Sequence, residues 1–308
     1  MNFCLICNSN KIIFFTSIKI YKYYLCADCN TLQSKFNNDS QTYSKKFRYL
    51  VNKKAESRLN SKADDILNFF KKHLSKQHSI LDIGSGYGFF LNKAKKSFKA
   101  AIGIEPSFNL YEASIKKYNI NVKNQDFKNY YILNKNNKFN AIVLIHVIEH
   151  IQKPKEFLKN ILDLLKINGV LYIETPNKDS LLFQAEQTKY TFLTPPEHKF
   201  IFSRDSFKHL LNLDSNRFIT YFYTYSYNEH IVGTLKIFLN KIFKKNRKIE
   251  AKPLTVLPND RHSIRLVVKI KKMVFFIVFH IVIAPILRPL IDKMHKGTFL
   301  QLYIKKNY

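Results

Sequence analysis

Short apolar runs and amphipathic stretches alternate through the middle of the chain. Runs at residues 79–83, 100–104 and 139–145 have the length of buried strands, and the third is typical of a central parallel strand. Ahead of the first run, residues 55–74 carry apolar positions every three or four residues, which predicts a helix packed against a sheet. A proline opens another helical stretch at residues 154–166. The alternation predicts an α/β fold.

A glycine-rich turn separates the first predicted strand from the helix that follows it. Gly84, Gly86 and Gly88 have the spacing G-x-G-x-G, and the next apolar run ends on Glu105. Glycines let a backbone turn sharply and approach a ligand, while an acid at the tip of the next strand can accept hydrogen bonds from ribose hydroxyls. A dinucleotide fingerprint would have its third small residue where Phe89 stands. The unit therefore predicts a nucleoside-cofactor site and disfavours a dinucleotide.

The stretches LDIGSGYG and GIEPS resemble the first two motifs of the class I S-adenosylmethionine-dependent methyltransferases. The resemblance covers about residues 80–272, and its strongest motifs lie within residues 80–177. It implies a Rossmann-like, doubly wound, mostly parallel sheet with an antiparallel last strand, and S-adenosylmethionine as the cofactor. The cofactor-binding residues predicted from the pattern and the resemblance are Asp82, Gly84, Gly86, Gly88, Glu105, Asp126, Phe127 and His146.

The roles predicted for Asp126 and Phe127 follow from the resemblance alone. In the resembled family an acidic residue at this place hydrogen-bonds the adenine amine, and an apolar neighbour packs on the ring. A carboxylate can accept that bond, so Asp126 suits the role. A solvated loop aspartate is the alternative.

All four cysteines lie near the start of the sequence in the pattern C-x2-C-x18-C-x2-C. Cys4, Cys7, Cys26 and Cys29 have the spacing of paired zinc knuckles, and a segment too short for its own core gains folding energy from the metal. The pattern predicts a structural zinc ribbon over residues 1–36. Four unliganded buried thiols are the alternative, and two pairs exceed what redox chemistry requires. Some sugar methyltransferases carry a similar cysteine module ahead of the catalytic domain.

A polar group, His146, Glu149 and His150, follows the apolar run 139–145, at the strand end where open α/β sheets place ligands. The residue types and their spacing match a zinc-protease pattern. That motif requires its histidines to lie on one continuous helix, whereas His146 is predicted at the end of a strand, so the zinc-protease interpretation is rejected. The group is similar to that of ubiquinone-pathway O-methyltransferases, where a glutamate replaces His146 and the three groups are associated with a divalent metal. Because His146 removes a hard oxygen ligand, a magnesium site is disfavoured.

We predict that His146 is a general base, with His198 as the second candidate. Glu149 and His150 complete the predicted catalytic group. The alternative for this pair is a structural role in holding the following helix, as in many related sequences.

The remaining segments set the predicted domain organisation. Residues 178–262 are aromatic and proline-rich in their first part and form a predicted substrate-side lid region, and the last two strands are predicted at residues 217–227 and 263–270. The predicted division is a zinc ribbon at 1–36, a linker and helix at 37–77, the methyltransferase domain at 78–272 and an apolar and basic tail at 273–308.

The tail begins with residues 273–287, which carry no formal charge. Such a run is shorter than the ~18 residues that a membrane span requires. A buried terminal helix or dimerisation face and interfacial attachment to a membrane are equally weighted interpretations. The oligomeric state is left open.

The net charge of +29 would ordinarily suggest a nucleic acid or an anionic membrane as partner. Lysine and asparagine are abundant throughout, as in proteins of AT-rich genomes, and no RNA-binding aromatic signature occurs, so nucleic acid is not the expected partner. The first residues contain cysteines and lack the apolar core of a signal peptide, which predicts that the protein is located in the cytoplasm. The alternative location is a peripheral one on the inner face of the membrane.

The predicted function is methyl transfer from S-adenosylmethionine to a small-molecule or lipid-linked acceptor, with a sugar as one candidate. Two alternatives are a nicotinamide-dependent oxidoreductase and a non-catalytic partner protein that binds zinc and a nucleoside.

Overall fold

The computed structural model describes residues 3–35, 53–211, 217–246 and 277–307. The strands are β1 (Ile12–Ile18), β2 (Tyr21–Cys26), β3 (Leu32–Lys35), β4 (Ser79–Ile83), β5 (Ala100–Ile104), β6 (Val122–Lys123), β7 (Phe139–Ile145), β8 (Leu165–Pro176), β9 (Phe200–Ile201), β10 (Phe218–Tyr225) and β11 (Phe299–Lys306). The helices are α1 (Lys53–His73), α2 (Phe89–Ser97), α3 (Phe108–Tyr118), α4 (Phe127–Asn134), α5 (Pro154–Leu164), α6 (Leu181–Glu186), α7 (Arg204–Leu211), α8 (Asn228–Asn246) and α9 (Ala284–Lys293), and a π-helical stretch, Ile277–Ile283, leads into α9.

A seven-stranded sheet in the order β10-β11-β8-β7-β4-β5-β6 forms the centre of the fold. Strand β4 pairs in parallel with β5 on one side and with β7 on the other. The predicted α/β fold, with a mostly parallel sheet and an antiparallel last strand, is confirmed. Because the strand order reverses at β4, a crevice is expected outside the carboxyl ends of β4 and β7. The predicted site residues follow these strands.

Helix α1 packs on this sheet, as the apolar stripe predicts. Ile66, Leu67 and Phe70 are buried in one cluster with residues of β4, β7 and β8. The ring of Phe70 meets that of Phe90 from α2 edge to face, with centroids 6.4 Å apart. The local 3.6-residue pattern was sufficient to identify this helix because its buried face is mainly apolar, with Lys62 as a buried charged residue on it.

The cysteine-bearing segment forms a second sheet in the order β1-β2-β3-β9. Its first three strands come from the amino-terminal residues, but β9 comes from the region after the central sheet's β8. Strand β3 pairs antiparallel with β9. The cysteine-bearing segment is therefore not an isolated module, since its sheet is completed by a strand that follows β8 in the chain.

The chain divides into two compact units. The first comprises Met1–Lys178, Phe192–Phe222 and Gln301–Tyr308, and the second comprises Asp179–Thr191 and Tyr223–Leu300. In the second unit, α8 and α9 pack together through Ile231, Val232 and Ala284. Among the described residues, every helix is too short or too polar to span a bilayer.

Strand β11 corrects the predicted carboxyl-terminal boundary. The sequence analysis assigned residues 273–308 to a tail, whereas residues 299–306 lie in the central sheet between β10 and β8. Six of its eight residues are buried on both faces, so the hydrophobic alternation of a half-exposed strand is absent. The strand predicted at residues 263–270 lies outside the described residues.

Candidate active site

The glycine turn combines two tightly packed glycines with one that faces open space. Gly84 and Gly88 have φ of 73° and 76°, and a Cβ would lie 2.7 Å from Val147 at the first and 2.3 Å from Ile120 at the second. Gly86 has φ of 53°, and no described heavy atom lies within 4 Å of the position of its Cβ. The turn thus needs glycine for its conformation and leaves room for a ligand to approach the backbone at Gly86.

Glu105 lies buried against this turn, where the sequence predicts it. One carboxylate oxygen accepts the Gly86 N–H at 2.8 Å, and the other accepts the Ser107 N–H at 2.8 Å. Each oxygen keeps a lone pair for a further donor such as a ribose hydroxyl. Asp82 lies nearby at the end of β4, and burial together with the charge of Glu105 raises the pKa of Asp82 to about 8. Burial raises the pKa of Glu105 as well, although the N–H groups of Ser107 and Gly86 act to lower it.

Asp126 has a structural role as a helix cap, which the sequence analysis did not predict. Its carboxylate caps α4 by accepting the Asn129 N–H at 2.8 Å. Phe127 is buried, and its ring meets Phe157 edge to face with centroids 4.8 Å apart. Adenine recognition by this pair stays a prediction.

His146 stands at the carboxyl end of β7 with φ of 54°, a backbone conformation that is uncommon outside glycine. Its Nδ1 lies 3.1 Å from a carboxylate oxygen of Glu149, and its Nε2 lies 3.7 Å from one of Glu174. Burial acts to lower the pKa of His146, but the hydrogen bond and charge of Glu149, with the charge of Glu174, raise it on balance. Glu149 is fully buried, and its other oxygen accepts the Thr175 hydroxyl at 3.0 Å.

Glu174 was missed by the sequence analysis as a site residue. It is buried at the end of β8, where one carboxylate oxygen accepts Lys62 Nζ, the Tyr172 hydroxyl and Gln301 Nε2, each at 2.7 Å. The available signal was an acid directly after a short apolar run, residues 170–173. Nothing local pointed to Lys62 or Gln301, because they reach the site from α1 and β11.

His150 and His198 form a neighbouring pair, with ring centroids 4.8 Å apart. His150 Nδ1 lies 2.9 Å from the Glu197 carbonyl, and His198 Nδ1 lies 2.7 Å from the Phe192 carbonyl. Because a carbonyl can only accept, each Nδ1 carries the proton and each Nε2 is left as an acceptor. These groups and Glu149 place their ligand atoms within 4.8 Å of one another, a set suited to a transition metal more than to magnesium.

The four cysteines converge as the spacing predicts. Cys4 and Cys29 have their sulfurs 3.5 Å apart, as do Cys7 and Cys26, and all four sulfurs lie within 4.8 Å of one another without a disulfide. A tetrahedral site with Zn–S bonds of about 2.3 Å places its sulfurs about 3.8 Å apart. The thiol set therefore fits a zinc ion.

Two curated proteins are similar to part of the chain. Over an alignment of 126 residues, the chain is 28% identical to the ubiquinone biosynthesis O-methyltransferase of Coxiella burnetii, with 38% of this chain and 53% of that protein covered. Over an alignment of 119 residues, it is 24% identical to the mitochondrial ubiquinone biosynthesis O-methyltransferase of Dictyostelium discoideum, with 34% of this chain and 37% of that protein covered. The chain thus spans about half the length, or less, of the curated relatives it matches.

Among solved structures, a SAM-dependent methyltransferase from Archaeoglobus fulgidus aligns with a TM-score of 0.47 and 17% identity, covering 80% of this chain and 94% of that one. The plantazolicin methyltransferase BpumL in complex with SAH aligns with a TM-score of 0.48 and 18% identity, covering 82% and 85%.

A family model described as a methyltransferase domain matches residues 55–213, more than half of the 308-residue chain. The matched span contains the glycine turn, Glu105 and the histidine and glutamate group after β7. The chain therefore belongs to the methyltransferase domain family, and the prediction of a class I S-adenosylmethionine-dependent methyltransferase is confirmed at the level of the family.

Proposed function

We propose that the protein transfers a methyl group from S-adenosylmethionine to a hydroxyl group of a small-molecule acceptor. The observation that carries the proposal is the juxtaposition of two sites at adjacent strand ends of one sheet: the Glu105 and Gly86 turn beside β4, and the His146 and Glu149 pair after β7. The curated relatives are named as O-methyltransferases, which favours oxygen as the methyl acceptor. A sugar or a lipid-linked hydroxyl falls within the proposal.

The residues present suit the cofactor. Glu105 keeps acceptor capacity for ribose hydroxyls, Asp82 adds a second carboxyl group, and the open space at Gly86 admits a ligand against the backbone. Asp126 and Phe127 are proposed for the adenine. When bound, S-adenosylmethionine supplies an activated methyl group on its sulfonium, so the protein's own task is to position the acceptor and remove its proton.

His146 is proposed as the group that removes this proton. A hydrogen bond from Nδ1–H to Glu149 would fix the tautomer and leave Nε2 as the basic atom. Glu174, 3.7 Å from Nε2, would stabilise the imidazolium that forms. Burial lowers the pKa of His198 to about 4, which makes it the weaker base of the two candidates. His150 is proposed to help shape the acceptor side.

Methyl-labelled S-adenosylmethionine tests the proposal directly. The purified protein is incubated with the labelled cofactor and, in parallel, with ortho-diphenols, free sugars and an extract of acceptors, and products are identified by mass spectrometry. A labelled methyl ether is the expected product. Cofactor binding without transfer to any acceptor would favour the non-catalytic alternative, and oxidation of a reduced nicotinamide would favour the oxidoreductase.

We also propose one structural zinc ion per chain at the four cysteines. Elemental analysis of freshly purified, reduced protein should give one zinc per chain, and Cys26→Ser should lower that content, because three thiolates remain. Chelation should expose the amino-terminal segment to protease while cofactor binding is largely retained, since folding of the segment is coupled to metal binding. Wild-type protein that is folded, reduced and free of zinc would contradict the proposal.

A peripheral membrane contact is proposed through an exposed apolar stripe in the second unit. Apolar side chains between 39% and 69% exposed recur every fourth residue from the π-helical stretch through α9 to the residue that follows it. Basic residues nearby would add attraction to anionic lipid. The stripe consists of Val278, Val282, Ile286, Leu290 and Met294.

The double substitution Ile286→Glu and Leu290→Glu is expected to abolish co-flotation with anionic lipid vesicles, because it places two charges in the apolar stripe. Substitution is preferable to deletion after residue 272, which would remove β11 from the sheet. Leu133→Glu, at an exposed position on α4, is the control and should leave flotation unchanged. Wild-type protein that fails to float with the vesicles would rule out this contact.

A further inference from the structure

Backbone pairing joins the cysteine-bearing segment to the segment that carries His198. Leu32 pairs with Ile201 and Gln33 with Phe200 across β3 and β9, and the Ser34 N–H donates to the Lys199 carbonyl at 2.9 Å. Apart from the partly exposed Lys199, these partners are buried. The residues directly after His198 are thus held in place by the strand that follows the last cysteine.

Tyr23 makes a direct connection to His198. It lies on β2, three residues before Cys26, and its fully buried hydroxyl donates to the His198 carbonyl at 2.9 Å. On the other side of the same peptide bond, the Lys199 N–H donates to the Glu149 carbonyl at 2.8 Å. One peptide group is therefore held by Tyr23 from the cysteine-bearing segment and by Glu149 from the candidate active site.

A second connection starts at a cysteine itself. The Cys29 carbonyl accepts the hydroxyls of Ser203, at 2.9 Å, and Ser206, at 3.2 Å. The Thr31 hydroxyl lies 3.0 Å from the Cys29 sulfur and donates to the Ser206 hydroxyl at 2.6 Å. All four residues are fully buried, so breaking this network would leave buried polar groups without hydrogen-bond partners. The start of α7 is therefore coupled to the cysteines as well.

We infer that the metal-bound cysteine segment positions His198 in the active site, with Tyr23 as the positioning residue. The inference rests on the proposed zinc site and the proposed methyl transfer. A segment without its own core depends on its metal for its fold. Loss of the metal would release Tyr23 and β3, and the His198–Lys199 peptide would then lose its partners on that side.

The substitution Tyr23→Phe tests the contact while retaining the buried ring. Because one neutral hydrogen bond contributes about 1 kcal/mol, we expect turnover to fall about fivefold while affinity for S-adenosylmethionine is unchanged. Amide hydrogen exchange at residues 199–201 should accelerate, whereas exchange at residues 100–105 should not. Tyr24→Phe is the matched control, since Tyr24 points to the opposite face of β2 and packs on Phe14.

Removal of the metal from the full-length protein by a chelator should accelerate exchange at residues 199–201 in the same way, and added zinc should restore protection. Exchange does not depend on catalysis, so a protein that fails to transfer methyl groups would still report on this coupling. If amide exchange at residues 199–201 is as slow in Tyr23→Phe as in the wild-type protein, the inference is overturned, whatever the activity of the variant. Unchanged exchange after complete zinc removal would overturn the role of the metal.

Discussion

Replacing His146 by alanine is expected to lower turnover about 100-fold or more while affinity for S-adenosylmethionine stays nearly unchanged. Removal of the acceptor proton matters in the transition state, so the loss should appear in the catalytic rate rather than in cofactor binding. Single-turnover transfer of a labelled methyl group measures the catalytic rate, and calorimetry measures the affinity for the cofactor. His209→Ala, at an exposed position on α7, is the control.

The pH dependence of turnover provides a second measurement of the same residue. A base acts in its neutral form, and the pKa of His146 is raised above its usual 6.5 by Glu149 and Glu174. The rate should therefore increase with pH through a pKa above 6.5 and be lost at lower pH. Glu174→Gln removes one of the charges that stabilise the imidazolium of His146. The pH at which turnover is lost on acidification should therefore be lower in this variant.

Two outcomes would refute the assignment of His146. One is normal turnover by His146→Ala with activity that follows added magnesium, in which case a metal would replace the base. The other is a pH profile of the wild-type enzyme that is flat between pH 5 and 8, since His146 would then not titrate in catalysis.

Replacing Glu105 by alanine is expected to weaken binding of S-adenosylmethionine at least tenfold, or about 1.4 kcal/mol. Two effects contribute. The substitution removes the ribose acceptor, and it leaves the N–H groups of Gly86 and Ser107 without their present partner, so the turn loses support. Calorimetric titration of the purified variant with the cofactor measures the loss.

Glu112→Ala provides the matched control, because Glu112 is an exposed acid on the following helix, α3. Glu105→Gln keeps one acceptor oxygen and should lie between wild type and alanine. Wild-type affinity in Glu105→Ala, in a variant with an unchanged melting temperature, would show that the cofactor does not bind at this turn.

Local sequence patterns predicted the parts of the site whose chemistry is contained in one strand and its following turn. The glycines after β4, Glu105 at the end of β5 and the group from His146 to His150 after β7 all belong to this class. Parallel strands bring their carboxyl ends to one edge, so the order of elements was enough to place these residues near one another. The packed glycines at positions 84 and 88 show why the turn permits no side chain there.

Contacts distant along the chain escaped the sequence analysis. Tyr23 and His198 are separated by 175 positions, and Glu174 and Gln301 by 127. Their identities carry no periodic signal, because a buried tyrosine or glutamine is placed by its partner and not by its neighbours in sequence. Strand β11 was missed for a related reason, since burial on both faces removes the alternation that identifies a half-exposed strand.

The sequence by itself determined the fold class, the glycine turn and the convergence of the four cysteines, because each depends on residue spacing along the chain and, at the turn, on backbone conformations that few residues adopt. Only the tertiary structure decided that β9 completes the sheet of the cysteine-bearing segment and that Lys62 and Gln301 share Glu174 beside His146. These arrangements depend on which buried polar groups find partners once the chain is folded, and that choice is made by packing between distant elements.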